Sequence, residues 1–101
     1  MSGRAAKRKG DRLERLVVDA FRKAGFEAKR VPLSGAAPDY PGDVIVTLGG
    51  AEYTLECKSR KDFKTLYGWL EPNNALVIKG DRREALLVLR LEDALELANK
   101  G

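Results

Sequence analysis

Two short apolar runs joined by a pair of glycines constrain the fold of this chain most. The runs cover Val44 to Thr47 and Tyr53 to Cys57, and Gly49-Gly50 lies between them. Strand-like runs joined by such a turn predict an antiparallel hairpin. Asp43 opens the first run and Glu56 lies near the end of the second. The hairpin is therefore expected to bring two carboxylates together at one edge of a sheet.

The remaining elements follow from periodicity. Apolar residues recur at helical spacing from Asp11 to Ala24, and Gly25 is typical of the residue that follows a helix. Residues 1–9 lack apolar residues suited to a core, so we expect a flexible basic arm there and one domain over residues 10–101. The order α-β-β-β-α-β-β-α predicts an α/β fold with a single mixed β-sheet flanked by helices, in which the late runs ALVIK and EALLVLR are buried strands.

The composition narrows the possible chemistry. The sequence has no histidine and one cysteine, Cys57, which excludes imidazole-based catalysis, an internal disulfide and a cysteine-built zinc site. The formal charge of +4 favours an anionic partner, and the basic N-terminal run makes nucleic acid the first candidate. No apolar run reaches membrane-spanning length, so we expect a soluble cytoplasmic protein with no membrane partner.

The acids of the hairpin and a nearby lysine form the main candidate site. Glu56 and Lys58 are two residues apart, and a strand would place both on one face. Converging carboxylates repel each other unless a cation joins them, and Mg²⁺ takes one or two carboxylates while keeping several waters. The alternative is a solvated ion pair beside an ordinary turn. We favour the metal site because Asp43, Glu56 and Lys58 occur together on adjoining strands.

These residues resemble a known nuclease signature. PGDVIV and LECK match the PD-(D/E)xK pattern as Asp43…Glu56-x-Lys58. The segments KRKGDRLER, GFEAKRVPLSG and ECKSRKD, in this order between about residue 7 and residue 62, resemble the archaeal-type Holliday junction resolvases. The resemblance implies a restriction-endonuclease-like nuclease fold. It also implies a metal-dependent endodeoxyribonuclease that cuts phosphodiester bonds in four-way DNA junctions.

The resemblance further implies roles for individual residues. Asp43 and Glu56 match direct ligands of Mg²⁺, for which Mn²⁺ is expected to substitute, with the Cys57 backbone carbonyl as a third ligand. Lys58 matches the catalytic lysine, and Glu14 matches a glutamate that holds the metal through water. The residues expected to contact DNA, either from the resemblance or from the basic runs beside the acids, are Lys7, Arg8, Lys9, Arg30, Ser34, Arg60, Lys61 and Lys64.

Each of these residues has a plainer interpretation. With Asp11 as N-cap, Glu14 falls at the third helical position, which is close to a capping box. Arg30 is alternatively a surface arginine of a strand, and Ser34 alternatively serves a turn. Cys57 is interpreted as a small buried residue and not as a nucleophile.

The small size of the chain bears on its assembly. A four-way junction has near-two-fold symmetry and two strands to cut, so we expect a homodimer with two active centres. Trp69 lies off the apolar stripe of its short predicted helix and is a candidate anchor for the interface.

Three other functions stay open on the sequence alone. The chain is alternatively another PD-(D/E)xK nuclease of restriction, repair or flap type. It is alternatively a catalytically silent DNA-binding module in which the acids and lysine are structural. A weaker alternative is an interaction domain whose basic arm binds an acidic protein.

Overall fold

Helices and strands both occur along the chain, in the order α-β-β-β-α-β-β-α, so the α/β class expected from the sequence is confirmed. The computed structural model describes residues 2–31 and 42–100, with side chains described from Arg8 onwards. None of the described helices is long and apolar enough to cross a membrane. The elements are α1 Ser2–Lys23, β1 Glu27–Arg30, β2 Val44–Leu48, β3 Ala51–Leu55, α2 Lys64–Leu70, β4 Ala75–Lys79, β5 Ala85–Leu89 and α3 Leu91–Lys100.

The chain divides into two compact units, Met1–Ser59 and Arg60–Gly101. The first unit holds α1 and strands β1 to β3, and the second holds α2, β4, β5 and α3. The nuclease domain expected from the sequence, residues 10–101, covers the second unit and most of the first.

The strands form two antiparallel sheets rather than the single mixed sheet that the sequence predicts. In the first unit the strand order is β1-β2-β3, and in the second β4 pairs with β5. Strands β2 and β3, and likewise β4 and β5, are consecutive in the chain and joined by short turns. A short turn permits only antiparallel pairing, whereas a parallel pair needs a crossover of a dozen or more residues.

Helix α1 begins at Ser2 and not at Asp11, so the flexible arm expected over residues 1–9 is helical from residue 2. The expectation of an arm rested on the lack of apolar residues for packing. Alanine, arginine and lysine are nevertheless strong helix formers, and the segment RAAKRK consists of them alone. Local propensity therefore continues the helix beyond the part that packs on the sheet.

The C-terminus of α1 has the glycine stop that the sequence predicts. Gly25 has φ +95°, its N–H donates to the Arg22 carbonyl, and the Phe26 N–H donates to the Phe21 carbonyl. These two bonds are the pattern of a Schellman motif. The rings of Phe21 and Phe26 meet edge to face with centroids 6.3 Å apart, which adds the apolar contact that usually accompanies this motif. The chain is thereby turned directly into β1.

The core of the first unit lies between α1 and the central strand β2. Val44 and Val46 are fully buried, Ile45 is buried on the other face of the strand, and Gly49 and Gly50 both have positive φ in the turn to β3. The predicted hairpin is confirmed, with Val44 opposite Leu55 in the register. The other buried apolar residues of this unit are Val17, Val18, Phe21, Ala28 and Val31.

Strand β3 ends at Leu55, so Glu56 and Lys58 follow the strand instead of lying on it. The sequence predicts that the strand continues to Cys57. The regular ladder of β2 begins at Val44, and the residues beyond Leu55 therefore have no strand partner in β2. The acid and the lysine are placed by the end of the hairpin and not by a shared strand face.

The second unit buries far less apolar surface than the sequence predicts. Its strands were expected to be buried, but Val77, Leu86 and Leu87 are between 54% and 64% exposed within the described chain. Leu70 of α2 is the one buried apolar residue among those described in this unit. A two-stranded sheet with two short helices is too small to bury both faces of its strands.

Candidate active site

Backbone hydrogen bonds fix the position of Asp43 at the mouth of the hairpin. The Asp43 N–H donates to the Leu55 carbonyl at 2.8 Å, and the Asp43 carbonyl accepts from the Val31 N–H at 2.9 Å. The Asp43 Oδ2 atom accepts the Cys57 N–H at 2.8 Å. The carboxylate is thereby bound to the residue that follows Glu56. The convergence of the two carboxylates themselves stays a prediction.

Gly42 makes the close approach at Asp43 possible. Its φ is +97°, and a Cβ atom at this position would lie 2.9 Å from the Leu55 carbonyl oxygen. Any other residue would be strained by its backbone conformation and would also push the two strands apart. The sequence analysis does not predict this role of Gly42, which lets Asp43 lie against Leu55 at the mouth of the hairpin.

Glu56 and Lys58 form an ion pair at this edge. The Lys58 Nζ atom lies 2.9 Å from Glu56 Oε2, and the two side chains are 54% and 58% exposed. An exposed pair of this kind contributes little to stability, typically about 0–1 kcal/mol. The pair places an ammonium group directly beside the second carboxylate, and the catalytic role expected for Lys58 stays a prediction.

Glu14 and Arg30 form a second ion pair, in which Asp11 also takes part. Arg30 Nε donates to Glu14 Oε1 at 2.9 Å, and its Nη2 lies 2.8 Å from both Glu14 Oε1 and Asp11 Oδ1. The hydrogen bond to Glu14 is the main cause that raises the pKa of Arg30 above its ordinary value, and burial opposes it. Asp11 is a partner that the sequence analysis missed. Its spacing of three residues from Glu14 is the only sequence pattern that links the two acids.

The capping interpretation of Glu14 is wrong. It requires Asp11 at the N-cap, but α1 begins at Ser2 and both acids lie in the interior of the helix. The Glu14 carboxylate bonds to Arg30 of β1. Its side chain is 13% exposed, so it lies between α1 and the sheet and not at a helix end.

The pKa of the Cys57 thiol depends on the acids around it. Burial, followed in decreasing order by the charges of Asp43, Glu14 and Glu56, raises the pKa of Cys57 from 9.0 to about 11. Three carboxylates, one from α1, one just before β2 and one just after β3, therefore act on one thiol. The thiol stays protonated at neutral pH, which agrees with the interpretation that Cys57 is not a nucleophile, although the residue is half-buried and not buried as the sequence predicts.

The donor set suits a hard cation that is held by few protein ligands. Among the described residues, no three side chains of histidine, cysteine, aspartate or glutamate are arranged as a ready metal cage. One oxygen of Asp43 is taken by the Cys57 N–H and one oxygen of Glu56 by Lys58, so each carboxylate keeps a second oxygen outside these bonds. Mg²⁺ is bound in proteins through one or two carboxylates and retains several waters. The residues present therefore fit Mg²⁺.

The residues expected to contact DNA are only partly described. Arg8 and Lys9 are exposed on α1 in the first unit, and Arg60, Lys61 and Lys64 are exposed in the second. Arg30 is held by Glu14 and Asp11. The Lys7 side chain and Ser34 lie outside the described residues.

The comparisons with known proteins give the family. The model of the family described as "Archaeal Holliday junction resolvase (hjc)" matches residues 5–71, a stretch that contains every residue of the candidate site. The chain belongs to this family. No solved structure matches it.

Two curated relatives carry the same kind of name. The chain is 36% identical over 55 residues to "Crossover junction endodeoxyribonuclease Hje" of Sulfolobus acidocaldarius, which is 54% of this chain and 40% of the relative. It is 38% identical over 50 residues to the protein of the same name from Saccharolobus solfataricus, which is 50% of this chain and 37% of the relative. The chain thus matches well under half the length of these two relatives.

Proposed function

We propose that this protein is a Holliday junction resolvase, a metal-dependent endonuclease that cuts phosphodiester bonds in four-way DNA junctions. The observation that carries the proposal is the arrangement at the hairpin mouth. There the Asp43 carboxylate is bonded to Cys57, next to the ion pair of Glu56 and Lys58. Membership of the resolvase family and the names of the two relatives support it. Because the proposed substrate is cellular DNA, we expect the protein to act inside the cell.

The side chains of the site have separable roles in this reaction. Asp43 and Glu56 would hold Mg²⁺ through the carboxylate oxygens that make no bond to Cys57 or Lys58, with the Cys57 carbonyl as a third ligand and Glu14 acting through water. When bound, Mg²⁺ orients a water for attack on the phosphorus and neutralises charge on the phosphate. Lys58 places its ammonium group where negative charge develops in the transition state. Mn²⁺ takes the same oxygen ligands and is expected to substitute.

Recognition of the junction rests on its backbone. The basic residues of the chain are suited to phosphates, and phosphate contacts fix the position of a protein on DNA without reading the base sequence. We therefore infer recognition by the shape of the branch. A homodimer supplies the two active centres that symmetric cutting of two strands requires.

The first experiment is cleavage of a labelled synthetic four-way junction with Mg²⁺ by the wild type and by Asp43→Asn and Glu56→Gln. We expect symmetric nicks from the wild type and a loss of rate of at least about a hundredfold in each variant, with junction binding retained. Matched controls are Glu52→Gln on the exposed part of β3 and Asp81→Asn in the second unit, both expected to cleave normally.

Two outcomes would replace the proposal by another function. Equal cleavage of linear, flapped and four-way substrates would make the protein a different PD-(D/E)xK nuclease. Tight junction binding without cleavage, together with no saturable Mn²⁺ site by calorimetry, would make it a silent DNA-binding module.

A further inference from the structure

We propose that Asp11 is a positioning residue, which acts through Arg30 to keep one carboxylate oxygen of Glu14 available to the active site. The inference rests on the proposed function for the role of Glu14. Asp11 matches none of the expected ligand or DNA-contact positions, and it is drawn into the site only by its contact with Arg30.

The geometry around Arg30 is asymmetric. An arginine beside a single carboxylate commonly forms a fork, with two parallel N–H groups on two oxygens. Here Nε and Nη2 of Arg30 both contact the same oxygen, Glu14 Oε1, at 2.9 and 2.8 Å. The Nη2 group also donates to Asp11 Oδ1 at 2.8 Å. The contacts of Arg30 with Glu14 thus fall on Oε1, and the bond from Nη2 to Asp11 Oδ1 holds the guanidinium in the orientation that leaves Glu14 Oε2 outside them.

Helix stability does not explain an aspartate at this position. Asp11 and Glu14 are three residues apart on α1, where two negative charges repel each other. Aspartate is also a poor residue for a helix interior. Arg30 from β1, which lies across both carboxylates, relieves this repulsion. The contact with Arg30 therefore offsets the cost of Asp11 in the helix, and Asp11 acts on Glu14 through this same contact.

The consequence of removing the Asp11 charge follows from the same contacts. With asparagine at position 11, the charge-assisted bond from Nη2 of Arg30 is replaced at best by a weaker bond to a neutral amide oxygen, so the guanidinium can turn towards Glu14 Oε2. The guanidinium then closes on both oxygens of Glu14 as a bidentate fork. Glu14 keeps its charge and its place on α1, but the oxygen that serves the site is taken up. The substitution therefore makes Glu14 Oε2 less available, but it removes no metal ligand.

The test measures Mn²⁺ binding to the full chain by calorimetry, without DNA. We expect Asp11→Asn to weaken Mn²⁺ binding about tenfold, as changes to the partners of metal ligands do. The control Asp19→Asn removes the same charge from an exposed position of the same helix and is expected to leave the affinity within about twofold. Equal affinities for the wild type and Asp11→Asn would overturn the proposal.

An Arg30→Lys background separates position from charge. Lysine keeps the positive charge but lacks the planar fork, so Asp11 has no guanidinium to orient. In this background Asp11→Asn is expected to change the affinity by no more than about twofold. A loss that stays at its full size would be an effect of charge alone and would overturn the positioning role.

A second readout follows the guanidinium itself. The Nε–H resonance of Arg30 in ¹⁵N-edited spectra is expected to shift in Asp11→Asn and to stay unchanged in Asp19→Asn. An unchanged resonance in Asp11→Asn would contradict the proposed rearrangement. These measurements also distinguish failure of the two proposals. If the wild type binds no Mn²⁺, the proposed metal centre is wrong. If the wild type and Asp11→Asn bind Mn²⁺ equally tightly, only the proposed role of Asp11 is wrong.

Discussion

At the scale of single residues, the thiol of Cys57 gives direct access to the electrostatics of the site. Burial and the charges of Asp43, Glu14 and Glu56 raise its pKa from the ordinary value of 9.0 to about 11. The folded state thus holds this proton more tightly than the unfolded state does. The thiol stabilises the fold below about pH 9, and this contribution is lost as the pH rises through about 11. Cys57 is the only cysteine of the sequence, so alkylation reports on it alone.

We predict that the rate of alkylation of Cys57 by iodoacetamide rises with a midpoint near pH 11 in the folded protein and near pH 9 in urea. The reactive species is the thiolate, and two pKa units lower its fraction at pH 8 by about a hundredfold. A thiolate of higher pKa is also more nucleophilic, which offsets about tenfold of this. At pH 8 the folded protein is therefore expected to react about tenfold more slowly than the unfolded protein. Mass spectrometry across the pH range measures the midpoint.

The matched variants are Asp43→Asn and Asp81→Asn. The first removes the charge with the largest effect of the three and is expected to lower the midpoint in the folded protein, whereas the second lies in the other unit and is expected to leave it unchanged. A midpoint near pH 9 in the folded wild type would show that the thiol is neither buried nor surrounded by the acids.

The residues of the site were predictable from the sequence to different degrees. Asp43 and Glu56 follow from the local turn at Gly49-Gly50, because a short turn fixes the register of its strands. The contact of Arg30 with Asp11 joins residues 19 apart in the chain, and no local pattern encodes it. The role of Gly42 depends on how closely Leu55 approaches, which is also a tertiary feature.

At the scale of elements, Gly10 tests how far helix α1 extends. The residue lies inside Ser2–Lys23, and a Cβ atom built on it meets nothing within 4 Å. We predict that Gly10→Ala raises the free energy of unfolding by about 0.5–1 kcal/mol, because alanine loses less backbone entropy than glycine in a helix interior. Urea denaturation monitored by circular dichroism measures the change. If residues 2–9 were an arm, Gly10 would flank the helix and the substitution would be neutral or unfavourable.

Gly50→Ala is the control for this measurement. A Cβ atom on Gly50 also meets nothing within 4 Å, but its φ is +83°. The same substitution is expected there to lower the free energy of unfolding by about 1–2 kcal/mol, because an L-residue is strained in this conformation. The opposite signs at the two glycines isolate the backbone conformation from packing.

The elements of the second unit show where sequence patterns fail. Apolar runs such as ALVIK are typical of strands buried on both faces, and strands β4 and β5 do form where these runs predict them. Burial depends in addition on what covers a strand, and the run itself does not contain that information. Exposure therefore alternates along β4. Local sequence therefore predicts where a strand lies along the chain, whereas its burial depends on the elements that pack against it.

At the scale of the whole molecule, the exposed apolar residues of the second unit bear on assembly. Trp69 of α2 is 55% exposed and lines one groove together with Val77 and Leu86, which are 64% and 54% exposed. Monomeric proteins rarely expose contiguous apolar patches of large residues, and tryptophan is enriched among the residues that dominate protein interfaces. The homodimer proposed for symmetric cutting thus has a candidate surface in this groove.

We predict that sedimentation equilibrium gives a mass of twice 11.1 kDa for the wild type and that Trp69→Ala weakens the dimer. Truncation of a central interface tryptophan costs about 2 kcal/mol or more, which corresponds to a dissociation constant raised by about thirtyfold. The control Leu97→Ala removes an apolar side chain of similar exposure, 61%, from α3 outside the groove and is expected to leave the mass unchanged. If the wild type sediments as a monomer at all concentrations, two separate chains must cut the junction, and the nicks on its two strands would appear independently instead of together. A dimer that Trp69→Ala leaves intact would place the interface elsewhere on the chain while keeping the symmetric mechanism.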